Sequence, residues 1–151
     1  MAGKNARSPG NEAKRRHKRE LSEFTRILVG DEARRDEALS YLRTIRQEVV
    51  RELVDRLVAK LQRCDDETAV RAVEALVVVG KSALPALSLA AVKGRHDVFL
   101  ARVARALAAV GTGLDEFVQV EVLLTLVGML RPGTGNAVQE AVAAAMLRLR
   151  G

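Results

Sequence analysis

The residues best placed to do chemistry in this 151-residue chain are Gly80-Lys81-Ser82, which follow Ala75 at the spacing of a relaxed phosphate loop. Such a loop wraps phosphates in backbone N–H groups, with lysine and serine completing the charge and magnesium contacts. The intervening Leu76-Val77-Val78-Val79 are poor material for it, because β-branched residues resist the positive φ a phosphate nest often needs. The segment is therefore expected to be a helix end that binds no nucleotide. Gly111-Thr112-Gly113 and Gly133-Thr134-Gly135 are too short for a dinucleotide fingerprint and follow helical rather than strand patterns. His96 beside Asp97 has the composition of half a catalytic dyad, but no serine or cysteine is placed by sequence to complete it, and His96 reads as a solvated loop residue at a helix start. Cys64, the lone cysteine, reads as a small half-buried packing residue. Asp65-Asp66-Glu67 reads as helix-start charge complementing the dipole rather than a metal site. No catalytic residue, cofactor or metal is expected.

The elements that must position these residues are helices. Leu21, Phe24, Ile27 and Leu28 recur at three- and four-residue spacing, and Leu39, Leu42, Ile45, Val49, Leu53, Leu57 and Leu61 continue the period. Gly30-Asp31 ends one helix and caps the next, and a turn is expected near Thr44–Gln47, although no glycine or proline marks it. Asp65-Asp66, Gly80-Lys81-Ser82, Lys93-Gly94, Gly111-Thr112-Gly113 and Pro132-Gly133 punctuate the rest. Thr112 with Asp115 has capping-box spacing. No segment alternates like a strand, so the class is all-α. With three Phe, one Tyr and no Trp, the core must be Leu, Val and Ala.

A repeat organises these helices. Arg71, Ala75-Leu76 and Val79-Gly80 recur 31 residues later as Arg102, Ala106-Leu107 and Val110-Gly111. Asp66 and Asp97 each precede the arginine by five residues, in position to cap the helix. Arg34, Ala38, Leu39 and Leu42 fit the same frame upstream. Asn136, Ala145, Met146 and Leu149 fit it loosely downstream, with Ala141 in place of the arginine. Alanine lets helices approach closely, leucine and valine fill the space between pairs, and glycine ends the helix. A single pair cannot bury its apolar faces, so such pairs stack in a row.

These segments resemble HEAT repeats, the antiparallel helix pairs of α-solenoids, over roughly residues 20–150 as four pairs. The resemblance implies a concave face lined by the second helix of each pair, and an Asp–Arg ladder between repeats to which Asp66, Arg71, Asp97 and Arg102 belong. It also implies function by macromolecular contact. Two enzyme groups share the architecture. The alkylpurine DNA glycosylases need aromatic residues that this chain hardly supplies, and likeness to the bilin lyases rests on fold alone.

Charge divides the chain. Residues 1–19 hold seven Lys or Arg against Glu12, whereas the remainder holds 18 basic and 18 acidic residues, so the tail carries the whole net charge of +6. Residues 1–19 are expected to be a disordered basic tail, and residues 20–151 the repeat domain. Lys14, Arg15, Arg16, Lys18 and Arg19 are candidates for binding nucleic acid or an anionic surface. Arg34, Arg35 and Arg105 are candidates for facing a partner, whereas the recurrence of Arg71 and Arg102 marks them as structural. The neutral body argues against nucleic acid wrapping along it. The leading expectation is a non-catalytic scaffold for an unidentified protein partner, and the alternative is binding of nucleic acid or an anionic surface through the tail. No apolar run reaches the length of a transmembrane helix and no signal peptide is evident, so a cytoplasmic protein is expected.

Overall fold

The computed structural model describes residues 9–30 and 32–150, and the chain is all-α. Its helices are α1 (Pro9–Gly30), α2 (Glu32–Leu42), α3 (Gln47–Lys60), α4 (Asp66–Val79), α5 (Leu84–Lys93), α6 (Asp97–Thr112), α7 (Glu116–Met129) and α8 (Asn136–Arg150), with a 3-10 turn at Gly80–Ala83. Residues 43–46 separate α2 from α3, close to where periodicity placed a turn. The break is made by backbone bonds from Arg43 to the Ser40 carbonyl and from Thr44 to the Tyr41 carbonyl. Asp31, the expected cap of α2, and residues 1–8 lie outside the described residues.

The basic run is the largest departure from expectation. Residues 9–19 are not disordered but form the N-terminal half of α1. Proline suits the first position of a helix. Glu12 with Arg16, Arg16 with Glu20, and Arg19 with Glu23 stand at i,i+4 spacing, where opposite charges support a helix and offset the repulsion of the basic cluster. His17 Nε2 also lies 2.9 Å from Glu52 Oε2 of α3, tying this half-helix to the body.

Packing follows parity. Each odd-numbered helix touches the next, from α1 to α3, α5 and α7, and each even-numbered helix touches the next, from α2 to α4, α6 and α8. Each odd helix also packs on the even helix that follows it. His17 meets Glu52 and Ser22 meets Arg56, so α1 and α3 run in the same direction. The core lies between the rows. Val50, Leu53, Val54, Leu57 and Val58 of α3 are buried at helical spacing, as are Ala69, Ala72, Ala75 and Leu76 of α4. The central helix α6 is buried nearly all round from Phe99 to Gly111. It packs most extensively on α8, where Ala141 and Ala145 allow close approach.

The repeat glycines have two different jobs. Gly80 takes φ 77°, which an L residue adopts only with strain, and turns the chain out of α4. Gly111 is helical and buried; a Cβ there would come within 3.1 Å of Leu149, so its smallness lets α8 close on α6. The stretch Asp66–Lys93 is long and apolar enough, by length and composition, to cross a membrane. The turn at Gly80 divides it into α4 and α5.

The caps sit one residue off the sequence frame. Asp65, not Asp66, caps α4 by accepting the Thr68 N–H at 2.7 Å, and His96, not Asp97, occupies the N-cap of α6 without a side-chain bond. The Thr68 hydroxyl and N–H hold the Asp65 carboxyl below its ordinary range. A depressed carboxylate stabilises above its unfolded pKa and stops doing so as pH falls through the folded value, so this cap weakens only in acid. Asp115 caps α7 through the Val118 N–H at 3.0 Å. Thr112 is the last residue of α6 and donates to the Ala108 carbonyl, so it is not a cap.

Candidate functional site

Among the catalytic candidates, the geometry is that of helix ends. Lys81 and Ser82 lie on the 3-10 turn, and the Ser82 hydroxyl accepts a hydrogen bond from Gln47 at 2.7 Å, a contact that joins α3 to the turn. Val77–Val79 are the last turn of α4 rather than a loop. The acidic trio is divided among three tasks. Asp65 caps α4, Asp66 lies 3.1 Å from Arg102, and Glu67 pairs with Arg71 at 2.8 Å. Among the described residues no three His, Cys, Asp or Glu side chains gather as a metal site.

The arginines separate into those bound within the fold and those that border exposed hollows. Arg102 is buried, at 6% exposure, and bridges consecutive pairs. Its guanidinium donates to the Leu61 and Cys64 carbonyls at 3.0 Å each and to Asp66, satisfying acceptors at the end of α3 that have no helical partner. Cys64 Sγ, half-buried, also accepts from it at 3.4 Å. Arg35, a partner-facing candidate, is instead bound within the fold. It donates to the Leu28 and Arg71 carbonyls and pairs with Glu74 at 2.7 Å, linking α2 to α4. In the repeat frame it is Arg34, not Arg35, that aligns with Arg71. The helical turn brings its neighbour inward, and Arg34 lies on an exposed hollow with Phe24 and Tyr41, whose rings meet edge to face at 5.8 Å.

Arg105 is exposed and has no partner among the described residues. It borders a groove of about 480 Å³ over α4, α6 and the end of α8, floored by Ala69 and Ala109 and walled by Val70, Val73 and Val77. Arg148 of α8 enters the same groove, exposed and without an ion pair among the described residues. The groove's acids, Asp66 and Glu74, are already matched by Arg102 and Arg35, so its uncompensated charge is the two arginines. Val70, Val73 and Val77 stand at i, i+3, i+7 and form an apolar stripe on a helix surface, with Val70 and Val77 exposed. Sequence reading found Arg105 but not Arg148 or the valines. Their signal was there: in the repeat frame, Val70 and Val77 fall at the variable positions.

A second charged surface lies across α1 and α3. Lys14, Arg15, Arg16, Lys18 and Arg19 are all exposed on α1. On the flank towards α3, Ser22 and Thr25 border a hollow shared with Arg56, Lys60 and Arg63. Lys14 and Lys18 precede Ser22 at four-residue intervals, so they stand on the same side of α1. The basic run is thus extended by a second helix, which composition alone did not reveal.

The chain matches no protein-family model, no curated protein and no solved structure.

Proposed function

We propose that this chain is a HEAT-like helical stack that works as a non-catalytic interaction scaffold, with the α4–α6–α8 groove holding a short acidic, aliphatic segment of a partner protein. The support for the stack is the parity of the helix contacts, since two rows of helices joined pair by pair is what a repeat of about thirty residues requires. The observation that carries the function is the pairing of an exposed valine stripe with two uncompensated arginines in one groove. Aliphatic side chains of a partner would cover Val70, Val73 and Val77, while Arg105 and Arg148 would each hold a carboxylate by charge-assisted hydrogen bonds.

Selection of short random peptides displayed against the immobilised chain tests this. Enriched peptides are expected to combine Asp or Glu with Leu, Ile or Val. The double variant Arg105→Glu/Arg148→Glu is expected to bind them at least tenfold more weakly, since each charge-assisted bond is worth about 1.5–3 kcal/mol. Enrichment of basic peptides, or equal binding by the double variant, would remove the groove from the account.

A second function, binding of a nucleic acid or anionic surface, is favoured by the basic face that α1 shares with α3. With about five phosphates neutralised, log K on duplex DNA should fall against log salt with a slope of about −4.5. Reversal of Lys14, Lys18 and Lys60 to Glu together should abolish that binding with the helical content retained. Binding that survives the reversal, or that does not weaken with salt, would exclude this face.

A further inference from the structure

Among the described residues nothing covers an apolar seam on α7. Phe117, Val120, Leu124 and Val127 are 84%, 54%, 67% and 50% exposed, and Leu130 continues the line just beyond the helix. The opposite side, Val118, Val122, Leu126 and Met129, is buried against the body. A helix that is apolar all round is ordinarily covered on both sides. Within their row α3 and α5 are flanked on both sides, whereas α7, at one end, touches only α5 there, as α1 touches only α3 at the other. The exposed residues step by three, four and three, the a/d spacing of a coiled-coil seam rather than scattered surface apolars.

The seam is self-complementary. About a twofold axis level with Val122, an antiparallel second α7 would set Phe117 against Val127 of its copy and Val120 against Leu124, so each layer pairs a large side chain with a β-branched one. Leu114 and Leu130 fall opposite each other about the same axis, and the helix dipoles are opposed. Glu116 of one copy would stand within a turn of Arg131 of the other, at both ends of the seam; Arg131 follows the helix, is exposed, and donates to the Val92 carbonyl at 3.0 Å, a neutral partner that leaves its charge unmatched. The exposed parts of these side chains amount to about 500 Å² per copy, or about 1,000 Å² for the pair, the lower bound of a specific interface. At about 500 Å² it stands towards the upper end of the largest apolar patch a monomer carries, and patches of that size are often functional. We infer that the chain self-associates as a twofold dimer through antiparallel α7 helices. One group opposes the association: Glu121 flanks the seam beside the axis and would face its own copy.

Sedimentation of the full chain over about 1 to 200 µM tests this, a range suited to an interface of minimal area. The 16.4 kDa chain is expected to shift to a species of twice that mass as concentration rises. Leu124→Asp, a change at an exposed position, should leave the helical circular dichroism intact and hold the protein monomeric. Glu121→Gln should tighten the dimer severalfold. Glu116→Arg and Arg131→Glu should each weaken it, and the two together should restore it. A monomer at every concentration would overturn the inference, even if α7 bound a helix of another protein. A dimer that persists in Leu124→Asp would place the interface elsewhere, and failure of the charge swap to rescue would refute the antiparallel register.

Discussion

Replacing Ala106 by glutamate is expected to unfold the chain or lower its melting temperature by well over ten degrees. Ala106 is fully inaccessible in α6, the helix that contacts both rows. A carboxylate there would lose its hydration without gaining a partner, at a cost of several kcal/mol. That is a large share of the roughly 5–15 kcal/mol that holds a domain folded. Ala75→Glu in α4 should be comparable, because Ala75 occupies the equivalent repeat position and is equally buried. Ala144→Glu on the exposed side of α8 is the control and should change the melting temperature little. Thermal melts of the three variants check the repeat register. If Ala75→Glu and Ala106→Glu melt like the parent, the register is wrong.

Arg102→Ala should cost about 2–4 kcal/mol, mainly because the Leu61 and Cys64 carbonyls lose their donor. The ion pair contributes little by comparison. The Asp66 side chain is 96% exposed and remains hydrated when its partner leaves. Asp66→Asn is therefore expected to change stability by well under 1 kcal/mol, although it removes the same ion pair. Arg102→Lys should recover only part of the loss, since one ammonium cannot reproduce a planar fork reaching two carbonyls and a carboxylate. Chemical denaturation of the three variants separates these contributions. Equal losses in Asp66→Asn and Arg102→Ala would show that the salt bridge, not the carbonyl bridging, is what Arg102 provides.

The contrast between these two sites shows how the fold was legible in the sequence. Ala75 and Ala106 were recognisable as buried because small residues recur with Leu and Gly in a fixed frame. The contacts of Arg102 were not, because its acceptors are backbone carbonyls 38 and 41 residues away, and carbonyls carry no signature in side-chain identity. The frame could say that Arg102 was structural, but it set Asp66 with Arg71 and Asp97 with Arg102, and only the resemblance to HEAT repeats implied a ladder from one repeat to the next. It could not say that Arg71, at the equivalent position, pairs with Glu67 within its own helix.

Errors of one residue had larger consequences for function. Periodicity alone could not decide which of Arg34 and Arg35 turns inward, and it is Arg35 that binds Glu74. Arg148 was overlooked because α8 departs from the repeat, with Ala141 where the arginine should be. The density of like charges in the basic segment speaks for disorder when the sequence is taken alone. Its interleaved glutamates and the contact of His17 with Glu52 outweigh that repulsion. The apolar seam on α7 was invisible for a simpler reason. Phe117, Val120, Leu124 and Val127 look like core residues in sequence, and only the packing reveals that nothing among the described residues covers them.

The interaction groove is the central claim, and methyl-resolved NMR tests it most directly. A peptide selected for binding would be titrated into the chain with its valine and alanine methyl groups observed. Shifts should concentrate at Val70, Val73, Val77 and Ala109, and be absent in Arg105→Glu/Arg148→Glu at the same peptide concentration. Shifts confined to Val120 and Val127 on α7, or to methyl groups beside the basic face of α1 and α3, would contradict the account.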